Sequence, residues 1–347
     1  MKKNLNIHPT LKFKKHFPNI GNNIFISKTA KVIGNTEVAE NTKIFDNVIL
    51  RGDGEKIKIG KNCTFKERCT VHVASDFLGT KIGNNCFFDE YSVIHACNIG
   101  NNILVGENSV IMDNSVVNDH SIVLPDTLIP PGKNFEEFSL ISGSPAKCIK
   151  KIDEIYFKNF NLKTLKSEIN HSNYIKKTNS KLKKFKINGE KIFISNDINV
   201  SCNIIANENS SIWFSSILNS PNDIGTVILG KGSNIQDNSI LNTNGKKIEI
   251  GERVTIGHNV VINGNTLICN DAVIGMGSVL EKNCIIEEGG FVGAKSYMLE
   301  NTKVPKGQIY AGNPAKFFRD VSPKEKKFFS IGQKIYEKLS EEYMENN

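Results

Sequence analysis

The sequence predicts an all-β fold in which two left-handed parallel β-helices of hexapeptide repeats follow each other in tandem. A large apolar residue returns at every sixth position over long stretches, a period that fits neither an α-helix nor an alternating strand. Gly, Asn and Asp follow these positions, and such residues suit the tight corners between short strands. The same register then returns 168 residues later over much of its length.

In the first half the repeat runs in four stretches separated by short insertions. Its apolar positions are Ile20, Ile26, Val32, Val38, Ile44 and Leu50; Ile59, Phe65 and Val71; Ile82, Phe88 and Ile94; and Ile99, Val105, Ile111, Val117, Val123 and Ile129. Three hexads make one coil, and coils stack at the strand separation of about 4.8 Å. We therefore expect these side chains to fill one continuous core.

The second half repeats this pattern. Its apolar positions are Ile194, Val200, Ala206, Ile212 and Leu218; Leu229, Ile235 and Leu241; Ile250, Ile256 and Ile262; and Leu267, Val273, Val279, Ile285 and Phe291. The motif GSPAK at Gly143 is echoed by GNPAK at Gly312. Both observations indicate that the gene was duplicated and fused.

Four segments follow from the pattern. We predict a first β-helix over residues 1–148, a helical and Lys-rich linker over 149–187, a second β-helix over 188–319 and a C-terminal α-helix over 320–347. In the linker, the helix is predicted from Ile155, Phe160, Leu162, Leu165 and Ile169.

The C-terminal helix has a start signal and an apolar stripe. Ser322 is a suitable N-cap and Pro323 a suitable first helical residue. The stripe consists of Phe328, Ile331, Ile335 and Leu339. We expect both helices to pack along their β-helices.

Composition excludes several classes of function. The net charge is +8, but Lys is scattered and the densest run, Lys181–Lys186, lies in the linker, so we predict no nucleic-acid binding. No apolar run follows the Lys-rich amino terminus, which argues against a signal peptide and a membrane span. The eight cysteines form no C-x-x-C pair, and we predict reduced thiols in a cytoplasmic protein.

Three basic residues share one register position in the first half. Arg51, His72 and His95 each directly follow an apolar residue of the repeat, and one coil plus a short insertion separates each from the next. They should therefore stack as a column on one face. Two histidines one coil apart could bind one metal ion.

The second half carries a different set. Asn219, Asn242 and Asn263 stand at its column positions. On the adjacent face, His258 is the counterpart of Glu90, and Gln236 and Asp237 lie on the same kind of face. The column of the second half thus has no basic residue left.

These motifs resemble those of γ-class carbonic anhydrases. They are RGD at Arg51–Asp53, TVH ending at His72, NIQDNS at Asn234–Ser239, GHNVVIN at Gly257–Asn263 and the two G-[SN]-PAK motifs. The resemblance covers nearly all of both halves. It implies a trimer of β-helices with zinc between neighbours, two histidines coming from one β-helix and the third from the next.

Carried over residue by residue, the resemblance assigns roles. His72 and His95 match the first histidine pair and His258 matches the third. Arg51 and Asp53 match an ion-pair arrangement with the neighbour's acid, here Asp237, although a purely structural ion pair remains an equal alternative. Gln236 matches a glutamine near the zinc-bound water, and it could equally be an outward residue bonded to a neighbouring backbone. The first half departs from the family at Lys66, Glu67 and Glu90.

The prediction is therefore a metalloenzyme that hydrates CO2 reversibly to bicarbonate with a metal-bound hydroxide, at an interface between the first and second halves. Three neutral imidazoles and a water suit zinc, and the same ligands accept iron or cobalt. We expect a homo-oligomer or a pseudo-trimeric assembly of β-helix domains.

Alternatives remain open. Like halves could form trimers with like, in which case Glu90 of a neighbour would complete a site with His72 and His95. The chain could hydrolyse or transfer acyl groups of CoA thioesters, or serve as a non-catalytic assembly subunit. We expect the remaining histidines, His8, His16, His120 and His171, to be structural.

Overall fold

The computed structural model describes residues 9–162, 165–167, 171–175, 184–221 and 224–345. The chain divides into two compact units, Met1–Ile169 and Asn170–Asn347. The predicted fold class is confirmed, because each unit is a left-handed parallel β-helix and each carries an α-helix after its coils. His8, Ile169 and the Lys181–Lys183 part of the linker lie outside the described residues. The predicted segment boundaries stay a prediction.

In the first unit, two long strands, Lys31–Val38 and Ile49–Ile59, each cross a corner and join two faces into one twelve-stranded sheet. Its other strands are Thr10–Leu11, Asn19–Ile20, Thr70–His72, Thr80–Ile82, Val93–His95, Asn98–Ile99, Val110–Ile111, Val116–Val117, Leu128–Ile129 and Asn134–Phe135. The third face comprises Phe25–Ile26, Lys43–Ile44, Thr64–Phe65, Phe87–Phe88, Leu104–Val105, Ile122–Val123, Ser139–Gly143 and Ala146–Lys151.

The second unit has three separate sheets. One comprises Lys184–Asn188, Asn203–Asn207, Thr226–Leu229, Lys247–Ile250, Thr266–Ile268, Ile285–Ile286 and Lys303–Val304. The next comprises Phe193–Ile194, Ser211–Ile212, Asn234–Ile235, Thr255–Ile256, Val273–Ile274, Phe291–Val292, Gln308–Gly312 and Ala315–Asp320. The last comprises Asn199–Val200, Ile217–Asn219, Ile240–Asn242, Val261–Asn263, Val279–Leu280 and Tyr297–Met298.

The predicted core of the first unit is present from Val32 to Ile129, where every predicted apolar position is buried. Inside it the rings of Phe65 and Phe88 stack on adjacent coils, 4.8 Å apart and 3° from parallel. This stacking reproduces the strand separation of a parallel sheet, so the coils are in register through the core.

Corner asparagines support the stacking. Asn62, Asn85 and Asn102 have φ near +57°, in the left-handed region that Asn tolerates well. Their side chains form a ladder, in which Asn62 donates to Asn85 at 2.9 Å and Asn85 donates to Asn102 at 3.0 Å. The polar residues that turn the chain therefore also bond one coil to the next.

The predicted register of the second unit is wrong after Ile262. Leu267 and Ile285 are exposed, whereas Ile268 and Ile286 are buried. The buried series continues at intervals of six from Ile262, through Ile268, Ile274, Leu280, Ile286, Val292, Met298 and Val304. Two adjacent apolar residues occupy several hexads here, so composition could not choose between them, and the unbroken spacing of six decides.

The helix after the first coils, α1, spans Glu154–Asn159 and is shorter than predicted. Asp153 caps it by accepting from the backbone N–H of Tyr156 at 2.7 Å. Phe160 is extended and ends the helix, so Leu162 and Leu165 lie beyond it. Leu162 is nevertheless buried in a small cluster with Ile122, Leu140 and Ile152, which explains why its apolar character misled the prediction.

The C-terminal helix, α2, spans Pro323–Glu345. The predicted cap is confirmed, since the backbone N–H of Glu325 donates to Ser322 Oγ at 3.3 Å and the Glu325 carboxylate accepts from the backbone N–H of Ser322 at 2.9 Å.

The predicted stripe of α2 is wrong at its start, because Phe328 and Ile331 are exposed. The buried face instead consists of Gln333, Tyr336, Leu339, Ser340 and Tyr343. Tyr336 and Tyr343 meet the ring of Trp213, the only tryptophan of the chain, edge to face with both centroids at 5.3 Å. Aromatic packing onto Trp213 therefore sets the rotation of the helix.

The eight cysteines, all within the described ranges, form no disulfide. None of the helices in the described ranges is both long enough and apolar enough to cross a membrane. A short 3₁₀ helix, His171–Tyr174, precedes the coils of the second unit.

Candidate metal centre

His72 and His95 of the first unit lie on one column, as their register predicts. Parallel pairing aligns Arg51 with His72 and His72 with His95. All three side chains are buried. The two imidazole rings are edge to face, with centroids 5.2 Å apart and planes at 67°. This column, Arg51, His72 and His95, is hereafter the first wall.

Asp53 bridges Arg51 and His72, two members of the first wall. Arg51 Nη1 donates to Asp53 Oδ2 at 2.6 Å, and His72 Nε2 lies 3.0 Å from Asp53 Oδ1. When the neutral ring donates its Nε2–H to Asp53, its lone pair lies on Nδ1, the nitrogen a metal takes. The RGD motif thus both pairs two buried charges and orients a ring.

A carboxylate that the sequence analysis missed serves the other histidine. Asp113 Oδ1 lies 2.6 Å from Nδ1 of His95. Burial opposes ionisation of Asp113, but the charge of His95 and this hydrogen bond outweigh burial and hold the pKa of Asp113 below its ordinary value. The sequence carried a signal for this contact, because Ile94 pairs with Ile111 and Asp113 therefore stands one coil and one residue after His95.

Glu90 lies away from the first wall, on the adjacent face of its unit. It follows Phe88 in the eight-stranded sheet, whereas His95 ends a strand of the twelve-stranded one. Partial burial, with the nearby charges of Glu67 and Asp89, raises the pKa of Glu90. A cavity of about 380 Å³ opens here, lined by Lys43, Phe45, Thr64, Lys66, Phe87, Asp89, Glu90 and Lys166. Within its own unit Glu90 therefore belongs to a different environment.

The second unit places Gln236, Asp237 and His258 on one buried face, hereafter the second wall. His258 Nδ1 lies 3.2 Å from Asp237 Oδ2, and its Nε2 lies 3.4 Å from the hydroxyl of Tyr336 on α2. Asp237 Oδ1 also accepts from a backbone N–H at 3.1 Å. A carboxylate at Nδ1 favours a tautomer whose lone pair lies on Nε2. Tyr336 was missed because the predicted stripe of α2 was rotated.

Gln236 has a local partner. Its Nε2 donates to Asn234 Oδ1 at 3.3 Å, and the side chain is buried. The Gln236 amide therefore bonds to the strand Asn234–Ile235, which immediately precedes Gln236 in the chain.

The asparagines of the second unit form a hydrogen-bonded ladder. Asn219 Nδ2 donates to Asn242 at 3.0 Å, Asn242 to Asn263 at 3.3 Å, and Asn263 to Glu281 Oε2 at 3.1 Å. Glu281 Oε1 also accepts from the hydroxyls of Tyr174 and Tyr297, at 2.8 and 2.9 Å. The buried amides of this column are therefore hydrogen-bonded to one another, as buried polar groups usually are.

The imidazoles of each wall fit a late transition metal or zinc, because each ring has one nitrogen beside a carboxylate and the other nitrogen as a candidate ligand atom. The first wall offers two imidazoles and the second wall offers one. Imidazole supported by a carboxylate is the usual arrangement at such centres. The asparagine ladder, by contrast, offers amides, which are poor ligands for these metals.

Comparison with known proteins gives consistent matches. A family model described as dynactin subunit 5 matches residues 11–179. Gamma carbonic anhydrase 1 of Arabidopsis thaliana, a mitochondrial protein, is 32% identical over 162 residues, which are 45% of this chain and 58% of that protein. Protein YrdA of Escherichia coli is 32% identical over 148 residues, which are 41% of this chain and 80% of YrdA.

The chain thus spans little more than half the length of the plant carbonic anhydrase. The crystal structure of a candidate acetyltransferase from Desulfovibrio desulfuricans G20 matches 99% of this chain and 86% of its own, at 15% identity and a TM-score of 0.56. That likeness shows the fold.

Proposed function

This chain belongs to the γ-class carbonic anhydrase-like family of hexapeptide-repeat proteins, and on that premise we propose that it binds a metal and interconverts CO2 and bicarbonate. The proposed ligands are His72 and His95 from a first half and His258 from a second half. The metal, when bound, supplies the Lewis acidity that ionises water near neutral pH. Zinc is the expected metal, and iron or cobalt suits the same three imidazoles.

One observation carries this proposal. The two walls are complementary, because the first keeps two histidines with carboxylate partners and the second keeps one. The remaining column of the second unit has amides in place of ligands. Independent loss of function in two copies would rarely leave a set that adds up to one complete site.

The protein residues have distinct proposed tasks. Asp53 and Asp237 orient their histidines, and Arg51 pairs with Asp53 and holds its carboxylate in place. The amide of Gln236 is proposed to hydrogen-bond water or bicarbonate beside the metal. Buried, pre-oriented groups of this kind lose little energy to reorganisation when the reaction occurs.

The proposal implies assembly, since family relatives suggest that β-helices combine in threes. We propose a homo-oligomer or pseudo-trimer in which first walls meet second walls. The cytoplasmic location remains a prediction from the free thiols, and the matched plant protein is mitochondrial by name.

A stopped-flow CO2 hydration assay tests the function. We expect zinc-loaded or iron-loaded protein to exceed the buffer rate, and His258→Ala to return to it. His120→Gln is the matched control, because His120 stacks on Phe138 with centroids at 4.8 Å, among the first unit's structural contacts. Hydration at the buffer rate by protein of verified metal content contradicts the proposal.

A second candidate function is a non-catalytic assembly subunit, favoured by the match of residues 11–179 to the dynactin subunit 5 model. Protein purified without chelators discriminates the two functions. Protein that contains no metal and takes up none on zinc reconstitution favours the assembly subunit. Protein that contains metal in stoichiometric amount favours the enzyme.

A further inference from the structure

We propose that Asp113 is a positioning residue that fixes the orientation and tautomer of His95 and thereby sets the metal affinity of the site. The claim about metal affinity rests on the proposed function. The claim about the orientation of His95 rests on the first unit alone. The contact that motivates it is the 2.6 Å separation of Asp113 Oδ1 and His95 Nδ1.

The fold holds both partners rigidly. Ile94 pairs with Ile111 across adjacent coils, so His95 lies one residue and Asp113 two residues beyond a paired strand position. The backbone N–H of Asn114, next to Asp113, donates to the carbonyl of Ala96 at 2.8 Å. Asp113 therefore lies in the tight turn after the strand Val110–Ile111, and that turn is hydrogen-bonded to the coil that carries His95.

The two histidines of the first wall have unequal carboxylates. Asp53 receives Arg51 at 2.6 Å as well as His72, so a guanidinium offsets its charge. Among the described residues, Asp113 lies against His95 and makes no salt bridge to an arginine or lysine. A carboxylate that contacts one ring nitrogen fixes the orientation of the imidazole through that contact. Asp113 should therefore act on His95 without a competing cation.

The second unit contains an internal comparison. Ile262 pairs with Leu280, so Glu281 stands directly one coil after Asn263, and it accepts from that asparagine at 3.1 Å. Each unit thus has a carboxylate against the last member of its column, at the aligned position in the second unit and one residue later in the first. Glu281 serves a neutral amide and two tyrosines, so its loss should leave the metal site unchanged.

Metal affinity is the first readout. Zinc dissociation constants, measured by chelator competition on the full chain, should rise about 10–100-fold in Asp113→Ala. Asp113→Glu, which introduces the residue type the second unit already uses, should recover most of the loss. Glu281→Gln is the matched control and should bind like wild type. Wild-type affinity in Asp113→Ala overturns the proposal.

The second readout needs no metal. In chelator-treated protein labelled with ¹⁵N-histidine, wild-type His95 should show one tautomer protonated at Nδ1, its signals assigned by their loss in His95→Gln. Asp113→Ala should shift them toward a mixture, and an unchanged spectrum contradicts positioning. If wild-type protein binds no zinc, the proposed function fails, and this spectrum alone decides the role of Asp113. Far-ultraviolet circular dichroism confirms that each variant is folded.

Discussion

The imidazole rings of His72 and His95 lie edge to face on adjacent coils, 5.2 Å apart, at identical register positions. Parallel pairing aligns these two residues directly, so displacement of one coil against the other would break the contact between their rings. The pair is therefore as rigid as the sheet that carries it, and rigidity of ligands is what a metal site requires.

Loss of either ring should abolish tight metal binding. For His72→Ala and His95→Ala we expect zinc affinity to fall by about 100-fold or more, because removal of a supporting group alone costs about 10–100-fold. Inductively coupled plasma measurements of purified protein and chelator competition check this. His120→Gln should keep wild-type metal content, and full metal in both alanine variants would exclude the first wall as a ligand source.

The source of the third ligand is separable by two substitutions. If the second wall supplies it, His258→Ala loses the metal and Glu90→Ala keeps it. If like halves assemble with like, Glu90→Ala loses the metal and His258→Ala keeps it. Metal content and the oligomeric mass of each variant, determined by light scattering, distinguish these outcomes. We expect the first result, because the second unit keeps a buried histidine with a carboxylate beside its Nδ1.

The corrected register of the second unit predicts unequal effects at adjacent positions. Ile268→Ala should lower the free energy of unfolding by about 2–5 kcal/mol, because Ile268 is fully buried. Leu267→Ala should change it by less than about 0.5 kcal/mol, since Leu267 is 37% exposed. Urea denaturation followed by Trp213 fluorescence reports on this unit. Equal effects of the two substitutions would support the register predicted from the sequence instead.

The asparagine ladder should stabilise its unit. Asn242→Ala removes one donor and one acceptor from a buried chain of bonds, and we expect a loss of about 1–3 kcal/mol. Asn199→Ala, at an exposed strand position of the same sheet, is the control and should be near neutral. Equal stability of Asn242→Ala and wild type in urea would mean that the ladder contributes nothing.

The cap of α2 predicts a pH dependence. Arg319 and then Ser322 lower the pKa of Glu325 from 4.5 to about 2. The folded state therefore binds this carboxyl's proton more weakly than the unfolded state, so its stabilisation is present above pH 4.5 and lost as pH falls toward 2.

Glu325→Gln should accordingly cost about 1 kcal/mol at pH 7, a modest figure because the pair is partly solvated. The difference from wild type should shrink progressively below pH 4.5. Urea titrations read by Trp213, which packs against Tyr336 of the same helix, check this. A difference that stays constant down to pH 3 contradicts the assigned pKa.

The sequence predicts well what depends on spacing alone. The coils, the first core and the stacking of His72 on His95 follow from a repeat of six, and the structure has each of them. The metal-binding role of those rings stays a prediction.

The errors arise where spacing leaves a choice. Leu267 and Ile268 are equally apolar, and Phe328 lies beside Phe329, whose ring packs on Phe291 at 4.9 Å. Only the packing partner decides such cases, and partners come from distant residues. Asp113 was missed for a different reason. Acidic residues are common at corners, and the role of this one is visible only when His95 on the preceding coil is considered.

The ladder also restrains the evolution of the second copy. Each internal asparagine uses its amide as donor to one neighbour and as acceptor from the other. Substitution of one of these asparagines by histidine would therefore disrupt two hydrogen bonds while supplying only one imidazole. Several positions would have to change together before this column could offer a set of metal ligands.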